Sequence, residues 1–443
     1  VIYSSGITVQ GGTQTFNLNL RTGVSGNFPI FVNTGGFLDV NNTFMAQPYV
    51  TATLQFSGGG NVEVGSFSRR YADQATNLNI VQNGPGTLTI LQRYPYQGSP
   101  TTDGYITGTT TINGGVIAIG AEDCLGGNPG GYFTSNGEWV EGSFISAALT
   151  LNGGTLRATA SFAIDDSNRG VTLGAGGGTF DVPNSAHTLT IANPIAGAGS
   201  LTKTGTGTLV LSAANTYSGT TTVSGGVLAL SSSTSNNNIP NSSSIKIGTG
   251  AFLNVTGLDG PAGQDTLVLA SGQTLQGNGT VQGNVEAPAG SILGAGMSPG
   301  HLTITGNYTQ AGTLFVELAG YTQGGTQAVL GQWQTNGYDW VSVGGSAVLD
   351  GYLQIQLLAG FRPQSGDRFD VLTAANGITD QGLELQWTPG SLLPAQYWTY
   401  QIITGQGNGQ ILQLQLGVPE PASLVLLALG GLGLWLLRRR FKP

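Results

Sequence analysis

The fold of this chain is decided by a stretch of alternating apolar and hydroxyl residues, residues 205–230, which reads GTGTLVLSAANTYSGTTTVSGGVLAL. An earlier echo occupies residues 84–90 (GPGTLTI) and 107–119 (TGTTTINGGVIAI), and a partial copy occupies residues 149–156 (LTLNGGTL). In each copy apolar residues alternate with Thr or Ser over a short run, and a Gly-containing turn separates one run from the next. These turns come too close together for helices, so the repeats predict short β-strands.

Strands this short cannot bury a face alone, and the repetition indicates how the chain could solve that problem. If the chain winds, each coil lays its strands in parallel on those of the coil before, and Val223, Val227 and Ala229 point into a narrow core. Thr and Asn side chains at matching positions would then stack as hydrogen-bonded ladders. We therefore predict an all-β chain folded as a right-handed parallel β-helix (solenoid), while a propeller or a sandwich would also give many short strands.

The composition fits a chain with many turns and few charges. Charged residues make up 8% of the chain and hydrophobic residues 39%, whereas disordered chains combine low hydrophobicity with high charge. Glycine accounts for 74 of the 443 residues without a spacing of three, which excludes collagen and supplies turns that need positive φ angles. The single cysteine, Cys124, cannot form an internal disulfide, so stability has to come from the stacking of strands.

The C-terminal tail, residues 418–443, differs from the rest of the chain. It contains Pro419, Glu420 and Pro421, an apolar run over residues 422–437, and then a basic cluster. The cluster consists of Arg438, Arg439, Arg440 and Lys442. As a helix the apolar run would be about 24 Å long, a little short of a typical hydrocarbon core. An apolar run that ends in basic residues is typical of a membrane segment whose positive end stays in the cytoplasm, and a buried core helix is the alternative.

The order and spacing of these tail residues resemble the PEP-CTERM sorting signal of Gram-negative envelope proteins. The resemblance implies export across the inner membrane, transient anchoring by a C-terminal hydrophobic α-helix, and cleavage near residues 419–421 by an exosortase-type protease. The function would then lie upstream of the tail. Without the tail the chain carries about −11, which argues against nucleic acid as a partner. We interpret Val1 as the N-terminal residue left after cleavage by a signal peptidase, and an artificially chosen start of the sequence is the alternative.

The repeats resemble the autotransporter-associated β-strand repeat, which occurs in secreted passenger domains. The residues that carry this resemblance are 202–209 (TKTGTGTL) and 215–221 (NTYSGTT). The copy at residues 84–119 departs from the pattern because extra residues separate its halves, which we interpret as a loop insertion. The resemblance extends over about residues 80–340 and implies a β-helix at the cell surface without catalytic residues.

Four segments follow from these patterns. They are an N-terminal β region or cap at residues 1–75, β-helix repeats at 76–337, a C-terminal β cap at 338–417 and the sorting segment at 418–443. Caps are expected because a stacked array otherwise exposes its last strands. In the C-terminal cap, Gly366 and Asp367 indicate a turn. Residues 231–241 are rich in Ser and Asn, and we predict a surface loop there.

Residues that could carry catalysis or bind a metal are few. His187 and His301 each follow turn residues, and with one cysteine they give no zinc-binding set, so we expect a solvated His187 and a turn at His301. The charged residues that could serve a polysaccharide-cleaving site are Glu122, Asp123, Asp165, Asp166 and Arg169. Because neighbouring carboxylates on a strand point to opposite faces, we expect solvated loop residues, with a weak structural Ca²⁺ site and catalysis as alternatives. We predict no cofactor.

Aromatic residues cluster in the insertion region, residues 93–140. An exposed aromatic face can stack on a sugar ring, so this region offers candidate glycan contacts, although the same rings could instead pack the loop onto the rod. The candidates are Tyr94, Tyr96, Tyr105, Tyr132 and Trp139.

Three functions fit these observations. We favour an exported, non-enzymatic structural or adhesive protein of the cell surface or the extracellular matrix, with exopolysaccharide and further copies of the chain as candidate partners. The second is a self-assembling subunit of an extracellular filament or sheath, with the hydrophobic tail packed in the assembly. The third is a polysaccharide-degrading enzyme on a β-helix, which requires carboxylates or basic side chains to converge on one groove.

Overall fold

The computed structural model divides the chain into two compact units, Val1–Ser291 and Ile292–Pro443, which are described separately. The residues it describes are 2–4, 6–17, 20–22, 26–46, 51–69, 77–91, 108–126, 132–133, 139–140, 142–296, 299–323, 337–358, 360–388, 392–393, 396–405, 407 and 409–417. Among these, the regular structure is β-strand apart from a 3-10 turn at Glu122–Leu125, which confirms the all-β class. The predicted C-terminal helix lies outside the described residues, and the predicted boundaries at 75/76 and 337/338 stay predictions.

Most described strands of the first unit lie in three parallel stacks, in which each strand pairs with the next strand of the same stack in chain order. The first stack contains Gly12–Phe16, Gly36–Ala46, Asn61–Arg69, Thr87–Ile90, Val116–Ile119, Thr155–Ala158, Gly178–Asp181, Leu201–Thr204, Thr221–Val223, Ser244–Ile247 and Thr274–Gly277. The second contains Ile7–Val9, Gly26–Val32, Thr51–Ser57, Asn77–Gln82, Thr110–Ile112, Ile145–Leu151, Arg169–Leu173 and Ile195–Gly197. The third contains Phe162–Ile164, Thr188–Ile191, Thr208–Leu211, Val227–Ser232, Phe252–Gly260 and Thr280–Gln282.

The remaining strands of this unit form short pairs. Parallel pairs join Ile2–Ser4 to Leu20–Thr22, Leu20–Thr22 to Gly36–Ala46 of the first stack, and Thr266–Val268 to Asn284–Ala287. Antiparallel pairs join Phe252–Gly260 to Gly263–Gln264 and Tyr132–Phe133 to Trp139–Val140. Parallel strands need a crossover between them, so a chain that returns to the same stack again and again is consistent with a winding path.

The core of the first unit is built from columns of apolar side chains that repeat from strand to strand. One column in the third stack consists of Leu189, Leu209, Leu228, Leu253 and Val281, which pair in register. All five side chains are fully buried. Burying one aliphatic side chain stabilises a fold by roughly 1.5–3 kcal/mol, so these columns are the main source of stability.

The prediction of which side chains face this core was wrong by one residue in one strand. Val223 is buried as predicted, but Val227 and Ala229 are only half-buried, and Leu228 and Leu230 occupy the core positions. Side chains alternate along a strand, so one residue more or less in the turn before it exchanges the two faces.

The asparagine part of the predicted side-chain ladders is confirmed. Asn113 donates from Nδ2 to Oδ1 of Asn83 at 2.9 Å, and Asn152 donates from Nδ2 to Oδ1 of Asn113 at 3.4 Å. Each of these asparagines directly follows a strand of the second stack. Asn113 therefore acts as donor and acceptor at once, which links three successive turns.

Glycine is required where these turns approach one another. Gly115 has a φ of +59°, in the left-handed region that other residues rarely adopt. A Cβ at Gly115 would overlap the carbonyl oxygens of Gly84 and Gly86 in the preceding turn, and a Cβ at Gly86 would overlap the carbonyl of Gly60. The glycines of the repeat thus serve both turn conformation and close stacking.

The prediction of a surface loop at residues 231–241 is confirmed only in part: residues 233–241 form a loop whose ends are exposed, but its middle is buried. Asn236, Asn238 and Ile239 are buried. Asn238 donates from Nδ2 to the carbonyls of Leu211 at 2.7 Å and Ser231 at 3.1 Å. The asparagine amides replace water as partners of backbone carbonyls, which allows a polar segment to lie inside.

The second unit begins with parallel strands and ends with an antiparallel hairpin. Its parallel sets are Ile292–Ala295 with Thr313–Leu318, Tyr352–Leu357 and Glu384–Trp387; His301–Ile304 with Trp340–Val343 and Arg368–Ala374; Tyr308–Gln310 with Ala347–Leu349 and Ile378–Asp380; and Thr322–Gln323 with Gly337–Tyr338. Arg368–Ala374 then pairs antiparallel with Gln410–Gly417, which pairs antiparallel with Tyr397–Thr404. The change from parallel to antiparallel pairing interrupts the repeat at the C-terminal side of this unit.

Candidate functional site

The acidic and basic residues singled out in the sequence meet in a buried ion pair. Arg169, the first residue of the strand Arg169–Leu173, is 0% exposed, and its Nε lies 2.7 Å from Oε1 of Glu122 in the 3-10 turn. The guanidinium also donates from Nη1 to the carbonyl of Leu125 at 3.4 Å and from Nη2 to the carbonyl of Gly126. All three groups of the guanidinium are therefore used inside the protein.

Glu122 is held from the opposite side by the backbone. Its Oε2 accepts hydrogen bonds from the amides of Asp165 at 3.0 Å and Asp166 at 3.2 Å. Burial raises the pKa of Glu122 above its ordinary value, although the backbone amides and the Arg169 charge oppose this shift. Asn193 donates from Nδ2 to the carbonyls of Asp166 and Arg169 at 2.7 and 2.8 Å, which fixes the second segment. We call this arrangement of Glu122, Arg169 and their partners the clasp.

The clasp corrects the prediction that these charges are solvated. Asp123 and Asp165 are exposed and Asp166 is half-buried, but Arg169 is fully buried and Glu122 is engaged by it. The carboxylate and the guanidinium bind each other and the neighbouring backbone groups, which favours a structural role for the clasp. It joins residues 122–126, within the predicted insertion region, to residues 165–169.

A second buried cation, Lys203, lies in the repeat that decides the fold. Its Nζ donates to the carbonyls of Thr204 at 2.6 Å, Gly205 at 3.0 Å and Gly225 at 3.2 Å, and the residue is 0% exposed. Burial lowers the pKa of Lys203 to about 8, and the nearby Asp181 carboxylate opposes the shift. A lowered lysine pKa can mark a catalytic amine. Here the amine is committed to three carbonyl oxygens, which favours a structural role.

The two histidines differ from each other. His187 is half-buried beside Asn184, so it is less solvated than expected. His301 begins the strand His301–Ile304, which corrects the predicted turn, and its ring stacks on Trp340 with centroids 4.0 Å apart and planes at 7°. Burial lowers the pKa of His301.

The sulfur and the acidic groups do not assemble into a metal site within the described ranges. Cys124 is buried, its thiol donates to the carbonyl of Ile90 at 3.5 Å, and burial raises its pKa. Among the residues described, no group of three or more His, Cys, Asp or Glu side chains is placed to hold a metal ion. The predicted weak Ca²⁺ site stays a prediction.

The predicted glycan contacts lie mostly outside the described residues. Tyr94, Tyr96 and Tyr105 are not described. Tyr132 and Trp139 lie on the two short antiparallel strands, where Tyr132 pairs with Val140 and Phe133 with Trp139. The insertion therefore contains a strand pair of its own, and its role in glycan binding stays a prediction.

An exposed aromatic residue that the sequence interpretation missed lies in the second unit. Tyr321 is 59% exposed, and its hydroxyl donates to Oδ2 of Asp367 at 2.8 Å. Its ring lies against Phe361 and Phe369. Phe369 is also in contact with the rings of Tyr338 and Trp398. These aromatics come from separate strands and loops, so no local cluster in the sequence signals them.

Comparison with known proteins supports the two resemblances. A family model of the PEP-CTERM protein-sorting motif matches residues 417–440. The chain carries this sorting motif. The match includes Pro419, Glu420, Pro421, Arg438, Arg439 and Arg440, all of which lie outside the described residues. In the part of the chain that is described, no helix is long and apolar enough to cross a membrane.

A second family model, the passenger-associated-transport-repeat, matches residues 201–230. Among curated proteins, the adhesin BmaC autotransporter of Brucella suis is 34% identical over 221 residues, which cover 48% of this chain and 6% of that protein. This chain thus spans only a small part of the length of that relative.

These matches identify an exported cell-surface protein of a Gram-negative-type envelope, as predicted. The sorting motif also implies processing by exosortase-type machinery. The comparisons support neither the filament nor the enzyme alternative.

Proposed function

We propose that this chain is a non-enzymatic adhesive or matrix protein, built as a right-handed parallel β-helix and presented outside the cell after processing of its PEP-CTERM tail. The observation that carries the proposal is the 34% identity to an autotransporter adhesin over nearly half of the chain. The transport repeat at residues 201–230 and the sorting motif at residues 417–440 agree with it.

The β-helix part of the proposal is supported by the strand pairing. In the first unit each stack ascends in chain order with parallel pairs, and apolar columns such as Leu209 on Leu228 run from strand to strand. A protein built this way gains stability with each added coil and offers a long surface to partners. That architecture suits a molecule that has to present binding surfaces away from the membrane.

The non-enzymatic part is supported by what the buried charges do. Glu122 and Arg169 neutralise each other, and Lys203 donates to three carbonyl oxygens. Catalysis on a β-helix would need such groups to face a substrate groove. In this chain Glu122 and Arg169, two of the five candidates for catalysis, are engaged with each other and with backbone groups instead.

The proposal is tested in the native cells by two strains, one lacking the gene and one in which Pro419, Glu420 and Pro421 are all replaced by Ala. We expect surface protease treatment to remove the wild-type protein but not the triple-Ala protein, and both strains to attach less well to surfaces and matrix. Attachment that is unchanged in the deletion strain would refute the adhesive role. Release of reducing sugars from the cells' own exopolysaccharide by the purified protein would refute the non-enzymatic assignment.

A further inference from the structure

We propose that Tyr321 and Asp367 form a binding site for a neutral glycan on the second unit, in which the tyrosine ring stacks on a sugar and the carboxylate accepts its hydroxyls. This inference rests on the proposed adhesive function and gives it a ligand class. It also locates the glycan contact outside residues 93–140, where the sequence had placed it.

The tyrosine ring is both exposed and fixed. Tyr321 is 59% exposed, although its hydroxyl is held by Asp367 at 2.8 Å. Its ring meets Phe361 edge to face with centroids 5.1 Å apart, and it lies nearly parallel to Phe369, with centroids 6.0 Å apart and planes at 11°. A fixed aromatic ring loses little conformational entropy when a ligand stacks on it, which is why tyrosine is common at recognition surfaces.

The rings beneath Tyr321 are anchored in the core. Phe369 is 0% exposed and packs edge to face against Tyr338, 5.3 Å away, and Trp398, 5.9 Å away. An exposed tyrosine that only completed this cluster would be expected to turn its ring inward. Tyr321 instead leaves more than half of its surface open while its ring contacts Phe361 and Phe369, an arrangement that suits a stacking platform.

Asp367 is held in place by its own turn. Its Oδ2 accepts from the Tyr321 hydroxyl and from the amide of Gln364 at 2.6 Å, while its backbone amide donates to the Gln364 carbonyl at 3.0 Å. The amide of Leu416 donates to the Asp367 carbonyl at 3.0 Å, which ties the turn to a core strand. The described bonds of this carboxylate fall on Oδ2, so Oδ1 can accept further donors.

The chemistry of the pair favours a neutral sugar. Hydroxyl groups donate to a carboxylate, and the apolar face of a sugar ring stacks on an aromatic ring. The phenol of Tyr321 is protonated at neutral pH, and the hydrogen bond to Asp367 raises its pKa further, so its hydroxyl can donate to Asp367. An acidic glycan would bring a second negative charge to Asp367, which opposes binding.

The experiment is affinity electrophoresis of the full chain, kept soluble in a detergent without a sugar headgroup, through native gels that contain dextran, a β-glucan, galactomannan or, as the acidic probe, alginate. We expect at least one neutral polysaccharide to retard the wild type. Tyr321→Ala should weaken the retarding affinity about tenfold, and Asp367→Asn should weaken it less. Tyr352→Ala is the matched control, since Tyr352 is 41% exposed in the same unit and should be dispensable.

Two results would overturn the site. One is wild-type mobility that no neutral polysaccharide changes, or that only alginate changes; the other is equal retardation of Tyr321→Ala and Tyr352→Ala. Tyr321→Phe guards against a folding artefact, because it keeps the ring packing and should retain most of the retardation. Cell attachment of the Tyr321→Ala strain separates the two proposals: attachment that survives while glycan binding is lost leaves the adhesive function intact on another surface.

Discussion

Replacing Arg169 by Met is expected to open the clasp. The substitution keeps an unbranched apolar chain but removes the guanidinium, which leaves the buried Glu122 carboxylate without its cation and the carbonyls of Leu125 and Gly126 without a donor. Removing one partner of a buried ion pair costs about 3–5 kcal/mol, because the other charge stays buried and uncompensated. Arg169 is 1% exposed at its side chain and Glu122 is 13% exposed, so solvent cannot take over the missing contact.

The double variant Glu122→Gln/Arg169→Met tests the cause. It removes the stranded charge as well, so its cost should fall below that of Arg169→Met alone, to roughly 1–3 kcal/mol for the carbonyls that lose their donor. The matched control is Arg157→Met. Arg157 pairs with Asp181 at the same 2.7 Å, but the Arg157 side chain is 40% exposed. Asp181 is only 11% exposed, yet without Arg157 it keeps the hydroxyl of Thr204 at 2.9 Å and the nearby Lys203 cation, so we expect a cost of about 0–1 kcal/mol.

Hydrogen exchange measured by mass spectrometry is the suitable assay, because it reports the opening of the segments that form the clasp, whereas urea unfolding reports the stability of a whole cooperative unit. Peptides that cover residues 122–126 and 165–173 should exchange at least about a hundredfold faster in Arg169→Met, which corresponds to the lower end of the expected cost. The amides of Asp165 and Asp166, which donate to Glu122, should respond most. Exchange in Arg169→Met no faster than in Arg157→Met, or a double variant worse than the single, would refute the reasoning.

Three further predictions concern buried polar groups. Lys203→Met should lower the urea midpoint of unfolding. The pKa of Lys203 is about 8 in the folded state and higher in the unfolded state, so the wild type gains stability between pH 8 and 10 and the variant does not. The difference between the two midpoints should therefore widen over this range, and a constant difference would contradict the prediction. Burial raises the pKa of Asp339 to about 8, so between pH 4 and 8 the folded state binds more protons than the unfolded state and loses stability as pH rises. In Asp339→Asn the free energy of unfolding in urea should no longer show this decrease, and the same pH dependence in variant and wild type would contradict the prediction. Asn238→Ala should cost roughly 1–3 kcal/mol by the same measurement while Asn241→Ala, at an exposed position, should cost under about 0.5, and equal costs would count against the buried amide.

Much of the fold could be predicted from local patterns. Alternation over residues 208–211 and 227–230 predicted strands that the structure contains, and glycine in the turns was required as expected at Gly115. What local patterns could not settle was the phase of alternation. Val227 and Leu228 are both apolar, so composition alone does not decide which one faces inward, and the turn before the strand does.

Buried polar groups were the largest source of error. Arg169 and Asn238 were assigned to solvent because their residue types are seldom buried. Their burial depends on carbonyl groups that lie far away in the sequence, such as Gly126 for Arg169 and Leu211 for Asn238. Tyr321 was missed for the same reason, because its support comes from Phe361, Phe369 and Asp367 on other elements. A single sequence shows residue types and their spacing, but it does not show which distant carbonyl or ring a side chain will contact.

The buried polar groups also restrict which coil stacks on which, and the apolar columns alone do not. Leu189, Leu209, Leu228 and Leu253 are chemically identical and follow one another in a single column, so a chain displaced by one whole coil would bury nearly the same surface. Lys203 restricts that freedom, because its amine joins the carbonyls of its neighbours Thr204 and Gly205 to the carbonyl of Gly225, which lies 22 residues away along the chain. A displaced coil would separate the amine from the Gly225 carbonyl, and a buried carbonyl left without a donor costs roughly 1–3 kcal/mol. We infer that in this chain the leucine columns supply most of the stability, while the sparse buried cations and amides determine which coil stacks on which.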